Sequence, residues 1–258
     1  LSGTGCEVLP LYGALPAAAQ RAALAPPGAV RRIVLATAIA ETSLTIPGVR
    51  VVVDAGRARR ARFDPGSGMS RLVTERVSRA EAEQRCGRAG RVAPGICFRM
   101  WARAEEGAMP AFAPPEIAVA DLAGLALDLA AWGAEAGDLA FLTPPPEGAL
   151  AEARALLADL GALDKAGRIT AHGRRLARLP LHPRLAHMLA VAGPAAADLA
   201  ALLSDRDPLR GAGADLEHRL RAIQGQGARA AFEANRQGIE RIRAEAKRLR
   251  RLVASRDG

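Results

Sequence analysis

The chain has 258 residues, half of them apolar, with a net charge of +9 and a pI near 10.9. That is enough apolar material for more than one core, so two or three compact units are expected, and the positive balance favours a polyanionic partner. Cys6, Cys86 and Cys97 are odd in number and lack C-x-x-C spacing, so they indicate neither a disulfide framework nor a zinc site.

In chain order, the first predicted strand runs from Val8 to Leu11. Arg32-Ile33-Val34-Leu35-Ala36 is a short apolar run rich in β-branched residues and reads as a buried parallel strand. It empties into Thr37-Ala38-Ile39-Ala40-Glu41-Thr42-Ser43-Leu44-Thr45-Ile46. Hydroxyls just past the carboxyl end of a parallel strand sit where open α/β sheets bind ligands, and can hold phosphates. Ordinary capping by Thr and Ser is the competing reading. A further strand, Val49 to Val53, ends at Asp54-Ala55-Gly56. Next, Arg57, Arg59, Arg60 and Arg62 precede the turn Asp64-Pro65-Gly66-Ser67-Gly68, and Arg71-Leu72-Val73-Thr74 returns, which is the pattern of a basic β-hairpin.

Ser78-Arg79-Ala80-Glu81 has the spacing of a capping box and starts a helix at Arg79. On that helix Gln84, Arg88 and Arg91 stand at i, i+4 and i+7, and so leave one face together. A neutral amide beside two permanently charged, fork-shaped guanidinium groups suits an anionic transition state. The Gln can position an attacking water while the Arg side chains neutralise a transferred phosphoryl group. A solvated Arg/Gly-rich face is the alternative for this octapeptide taken alone.

After Trp101 the composition changes. Ala102 to Pro115 holds mixed charge and proline, and reads as a linker. Leu122, Leu125, Leu129 and Trp132 mark an amphipathic helix; Pro144-Pro145-Pro146 stops any helix before another begins near Glu147, with Leu150, Leu156, Leu157 and Leu160 inward. Asp164-Lys165-Ala166-Gly167 is a turn signal before a short strand. From Pro183 onward the pattern is helical. Phe232, Ile239, Ala246 and Val253, with Asn235, Ile242 and Leu249 between them, form a narrow seam of heptad type, and the outer faces are rich in arginine. His172, His182, His187 and His218 show no metal-ligand spacing and read as surface or core residues.

These segments together resemble the second RecA-like domain of the DEAH-box helicases of superfamily 2, in detail the bacterial HrpB type. The likeness extends over Leu11-Tyr12-Gly13-Ala14-Leu15-Pro16, the run from Thr37 to Ile46 as motif V, and Gln84 to Arg91 as motif VI. It continues through Gly95-Ile96-Cys97, Leu160-Gly161-Ala162-Leu163 and Leu179-Pro180-Leu181-His182-Pro183-Arg184-Leu185. Gln84 marks the subclass, because DEAD-box relatives usually carry His there. Ala38 departs from the usual Asn, Pro47 from an often acidic residue and Cys86 from a common Ala.

The resemblance implies an α/β RecA-like domain with a parallel sheet and a β-hairpin insertion at 1–105, a linker and winged-helix domain at 106–180, and an α-helical ratchet-type bundle at 181–258. It implies that Gln84 helps position the hydrolytic water, that Arg88 and Arg91 act as arginine fingers and bind nucleotide, and that Ser43 senses nucleotide state. Thr37, Arg57, Arg59 and Arg60 are expected to contact a nucleic-acid backbone. The expected activity is ATP hydrolysis, with Mg2+, coupled to translocation on single-stranded RNA or DNA; the alternative is a non-enzymatic RNA-binding scaffold. No Gly-x-x-x-x-Gly-Lys-Ser/Thr loop and no Asp-Glu-x-His segment occurs, and the chain starts with Leu. A first RecA-like domain in cis, holding most Mg2+ ligands, is therefore expected to precede it, and this stretch alone is expected not to hydrolyse ATP. Neither a long uncharged apolar run nor a signal peptide is evident, so a cytoplasmic location without a membrane partner is expected.

Overall fold

A computed structural model describes every residue except 1, 2, 4, 27, 42–44, 65–67, 227–231 and 255–258. The chain divides into two compact units, Leu1–Ala120 and Asp121–Gly258.

In the first unit β1 (Glu7–Leu11) pairs in parallel with β2 (Arg32–Ala36), joined by helix α1 (Ala17–Leu24). β3 (Val51–Asp54) pairs in parallel with β6 (Ile96–Arg99), and between them lie the hairpin β4 (Arg57–Asp64) and β5 (Met69–Arg76) and helix α2 (Arg79–Cys86). This is the expected α/β arrangement with a hairpin insertion. The strands are less buried than their composition suggested. Alternation in β3 and β6 turns Val52, Asp54, Cys97 and Arg99 to one face, and leaves Val51, Val53, Ile96 and Phe98 exposed on the other. β2 is likewise only half-buried at Arg32 to Val34 and exposed at Leu35 and Ala36. The reason is that the parallel ladders are each two strands wide, so one face has no covering layer among the described residues.

Helix α2 begins as its sequence dictates. The Ser78 hydroxyl accepts from the Glu81 amide at 3.2 Å, and the Glu81 carboxylate accepts from the Ser78 amide at 2.7 Å. Ala82 on its inner face joins Ala58 and Val77, with Trp101 packed against them. The stretch read as a linker from its composition is folded. It contains α3 (Arg103–Gly107), pairs Arg76 with Glu105 at 2.7 Å, and lends the Pro110 and Ala111 carbonyls to the Arg79 and Ala80 amides. Free N–H groups of a helix's first turn need such partners, and the chain after Trp101 supplies them. The first compact unit accordingly extends past residue 105, to Ala120.

The second unit contains α4 (Ala123–Trp132), α5 (Glu147–Asp159), α6 (Ala171–Ala177), α7 (Pro183–Ala192), α8 (Ala197–Ser204), the short strand β7 (Leu209–Arg210), α9 (Leu216–Gln224), β8 (Glu233–Ala234) and α10 (Arg236–Ala254). Ala123, Ala126, Leu127 and Leu129 bury the inner face of α4, but Trp132 is exposed rather than inward. Helix α4 is apolar nearly all round, so the leucine period did not single out its buried face. In α5 Leu150, Ala153 and Leu157 are buried, with Leu156 half-buried. A Leu163–Ile169 bridge closes a tight turn in which Asp164 accepts from the amides of Ala166 and Arg168, the small wing that the turn signal announced.

The seam on α10 is present as Ile239, Ile242, Ala246 and Leu249, all buried. Pro183–Ser204 is apolar enough over 22 residues, at mean hydropathy 1.5, to be weighed as a membrane span, although it carries Arg184 and Asp198 and so is not an uncharged run. It is broken at Gly193, whose φ is 70°, and at Pro194, so that α7 and α8 pack on each other and bury Ala186, Leu189, Ala200 and Leu202 in the unit's core.

Candidate functional site

Three segments meet around one cation. Arg85, in the last turn of α2, donates from Nε to Glu41 Oε2 at 3.0 Å and from Nη1 to Asp54 Oδ1 at 3.0 Å; Nη1 also reaches the Arg57 carbonyl at 3.2 Å. The turn after β2, the end of β3 and the root of the hairpin are thus tied to α2 by one guanidinium. Its side chain is 17 % exposed, those of Glu41 and Asp54 11 % and 2 %. Burial alone lowers the pKa of a guanidinium, but the bonds and charges of Glu41 and Asp54 outweigh it and raise that of Arg85. Asp54 Oδ1 also accepts from the Gly56 amide at 2.9 Å, while its Oδ2 is buried without a protein partner. Gly56 adopts φ +68°, and a Cβ there would lie 2.8 Å from the Trp101 ring, so this turn requires glycine.

The second half of the Gln84–Arg91 stretch is not helical. α2 ends at Cys86, and the amides of Arg88 and Ala89 bond to the carbonyls of Arg85 and Cys86 three residues back. Gly87 and Gly90 favour that exit. Gln84 therefore stays on the helix, exposed, whereas Arg88 and Arg91 leave from the following loop, which corrects the single-face expectation. The loop is pinned at Gly95, where a Cβ would fall 2.1 Å from the Ala89 carbonyl oxygen and 2.6 Å from that of Arg50.

Both arginines turn to the segment after β2. Arg88 donates from Nε to the Glu41 carbonyl at 2.9 Å and from Nη2 to the same oxygen, and Arg91 Nη1 donates to Thr45 Oγ1. Burial, and then the positive charge of Arg91, lower the Arg88 pKa, with Glu41 acting in the opposite sense. The two guanidinium groups thus put like charge on one short loop, where an anion beside them would be favoured. Thr37 precedes the turn Ala38–Ala40, is exposed and makes no capping bond through its side chain, so the capping alternative does not hold there. Ser43 lies outside the described residues.

The hairpin separates its arginines by parity. Arg57 and Arg59 lie on the exposed face, whereas Ala58, Arg60 and Arg62 face inward. Arg60 bonds to Glu75 at 3.4 Å and to Glu81, and Arg62 grips Glu75, whose carboxyl is held below the usual range mainly by the Arg62 hydrogen bond. Arg60 is thus an anchor for the helix cap rather than an open cation. Cys86 and Cys97 are half-buried; burial, then the hydrogen bond to Cys86, push the Cys97 thiol up to about 11, so it stays protonated. Arg85, Glu41 and Asp54 were not anticipated as a group. The available signal was an acid at the end of a strand and another in the preceding ligand-side turn.

The histidines serve structural roles. His182 Nε2 bonds Asp121 at 2.9 Å, and its Nδ1 accepts from the Arg184 amide at the start of α7. His172 and His187 share a 2.9 Å contact. No three His, Cys, Asp or Glu side chains converge as metal ligands among the described residues.

Residues 1–93 match the helicase conserved C-terminal domain, and residues 153–181 the winged helix of the helicase-associated domain HA2. The ATP-dependent RNA helicase HrpB of Escherichia coli is 46% identical over 213 residues, covering 79% of this chain and 26% of that protein. The probable ATP-dependent RNA helicase DHX34 of Homo sapiens is 42% identical over 187 residues, covering 70% of this chain and 16% of its own. The chain thus spans about a quarter or less of these relatives. A crystal structure of the E. coli DEAH/RHA helicase HrpB superposes on 98% of this chain and 31% of its own, with a TM-score of 0.84 at 38% identity. A second crystal structure of that protein, described as a DExH-box NTPase, gives a TM-score of 0.81. Matching domains in matching order, a common fold and the Gln-Arg-Cys-Gly-Arg-Ala-Gly-Arg loop place the chain among the DEAH-box helicases of the HrpB type, of which it carries the helicase C-terminal domain and the associated winged helix.

Proposed function

We propose that this chain supplies the second RecA-like domain, winged helix and part of the ratchet bundle of an ATP-dependent RNA helicase. The observation that carries the reading is the pair Arg88 and Arg91, which leave one short loop and bond to Glu41 and Thr45 in the segment after β2. In this reading the two guanidinium groups bind the nucleotide phosphates and neutralise charge that builds on the transferred phosphoryl group, and Gln84 orients the water. Ser43 reports nucleotide state. Thr37, Arg57 and Arg59 hold the backbone of single-stranded RNA, and Arg60 supports them from within the hairpin. ATP is the substrate. Mg2+ ligands belong to a first RecA-like domain in cis, since the carboxylates Glu41 and Asp54 are committed to Arg85. An RNA substrate goes with a cytoplasmic location.

The test joins this chain to a first RecA-like domain bearing the phosphate-binding loop and compares wild type with Arg91→Ala. Turnover is expected to fall by about 10³–10⁵ while RNA affinity changes little, since a finger acts on the transition state. Unchanged turnover would favour the non-enzymatic scaffold instead.

A further inference from the structure

The second unit carries an uncompensated positive surface that the nucleotide-side chemistry does not use. From Lys165 to Ala197 the sequence has no Asp or Glu, yet holds Lys165, Arg168, Arg174, Arg175, Arg178 and Arg184. Arg168 is spent on Asp164 at 3.0 Å. Arg174 and Arg175 on α6 and Arg178, which caps its end, are all exposed and, with Ala171, line an open cavity of about 300 Å3. Arg174 donates to the Ile169 carbonyl at 3.2 Å, and no carboxylate pairs with any of the three among the described residues.

Several arginines on the surface of the same unit are paired with acids. Arg241, Arg248 and Arg250, equally on a surface, each meet an acid at 2.9 Å or less. Cations in the last turn of a helix are favoured by its dipole, which bears on Arg174 and Arg175. Arg174 and Arg178, however, stand at i and i+4, where like charges oppose each other by a similar amount. His172, three residues before Arg175, has its imidazole held below its ordinary pKa by burial, by His187 and by Arg175, so it adds little positive charge of its own.

We propose that Arg174, Arg175 and Arg178, on α6 and at its C-terminal cap, form a second RNA site, which grips a backbone phosphate in the cavity they line. Planar guanidinium forks match phosphate oxygens two at a time, and the cavity admits one phosphodiester with its sugar. The inference rests on the reading that the substrate is RNA. It adds a contact point on the winged helix, away from the hairpin arginines in sequence and independent of ATP.

The experiment uses the whole chain and fluorescence anisotropy with a labelled oligouridylate over a series of salt concentrations. Arg175→Gln with Arg178→Gln is compared with a control of equal charge, Arg21→Gln with Arg103→Gln, all four being exposed. Each single-strand phosphate contact releases roughly 0.7 counterion, so losing two lowers the salt slope by about 1.4 and weakens binding about 25-fold at 0.1 M salt. The control pair is expected to leave the slope unchanged. Equal slopes and affinities in the two double variants would overturn the site. Wild-type chain that binds no RNA would overturn the functional reading as well. Inorganic phosphate displacing the RNA at equal charge concentration would reassign the cavity to free phosphate. Loss of polyglutamate binding, with RNA binding intact, would reassign it to an acidic protein partner.

Discussion

Replacing Arg85 by Ala removes the cation shared by Glu41 and Asp54 and leaves two carboxylates facing each other in a largely buried site. Asp54 is the more severe loss, because its Oδ2 is already without a protein partner and its side chain is 2 % exposed. Breaking a buried ion pair from one side costs about 3–5 kcal/mol, against a total stability of about 5–15 kcal/mol for a domain. Arg85→Lys keeps the charge but not the fork, and a single ammonium cannot reproduce bonds to two carboxylates and the Arg57 carbonyl; about half the loss should remain. Glu41→Gln should cost only about 1.5–3 kcal/mol, since the Asp54–Arg85 bond survives. Trp101 is a suitable reporter, for its ring packs on Gly56 and on the Ala58, Val77 and Ala82 cluster beside the triad. In a Trp132→Phe background, harmless because Trp132 is 74 % exposed, Trp101 fluorescence follows the first unit alone. With a urea slope of about 2 kcal/mol/M, the Arg85→Ala midpoint should fall by about 1.5–2.5 M. A shift under 0.5 M would mean that the triad does not hold these segments together.

The hairpin gives a contrast within one element. Arg57→Ala with Arg59→Ala should lower the salt slope of RNA binding by about 1.4, whereas Thr37→Ala should weaken binding at nearly constant slope because it removes a neutral group; the same anisotropy titrations read both. Arg60→Ala should instead destabilise the first unit with little effect on slope, as its charge is committed to Glu75 and Glu81. In the second unit Arg219 spends its donors on Asp207 and on the carbonyls of Ala212, Gly213 and Asp215, so Arg219→Ala should cost about 1.5–3 kcal/mol by far-UV circular dichroism, and Arg219→Lys should rescue little. His172 has a folded pKa below its ordinary 6.5, chiefly through burial, so the unfolded chain binds more protons near that pH. Its contribution to stability is present above pH 6.5 and lost as pH falls through it, and His172→Gln should flatten that part of a thermal-stability profile.

What could be read without coordinates was local or periodic. The Ser78–Glu81 cap, the hairpin flanked by its turn residues and the seam on α10 all depend on neighbours within a few positions. Arg85 could not be read in that way, because its partners lie 44 and 31 residues distant and only the fold brings them together. Arg60 was grouped with Arg57 and Arg59 by composition, although period two along a strand already puts it on the opposite face. Helical spacing for Arg88 and Arg91 runs across two glycines, where the backbone prefers to leave the helix. The leucine period puts Trp132 on the buried stripe, but an alanine-rich helix offers several apolar faces and only packing chooses between them.

The bare face of β3 and β6 bears on every titration proposed for this chain. Val51 pairs with Ile96 and Val53 with Phe98, which sets four large side chains side by side in water, each more than half exposed. Contiguous apolar surface of this kind drives molecules in concentrated solution onto one another. Salting-out ions strengthen that tendency, while any added electrolyte weakens phosphate contacts. Raising salt with sulfate would therefore exchange RNA release for clustering, and the two would be confused in an anisotropy signal. A chloride series at low protein concentration keeps them apart, so the uncovered strands dictate the choice of anion as much as the arginines dictate its range.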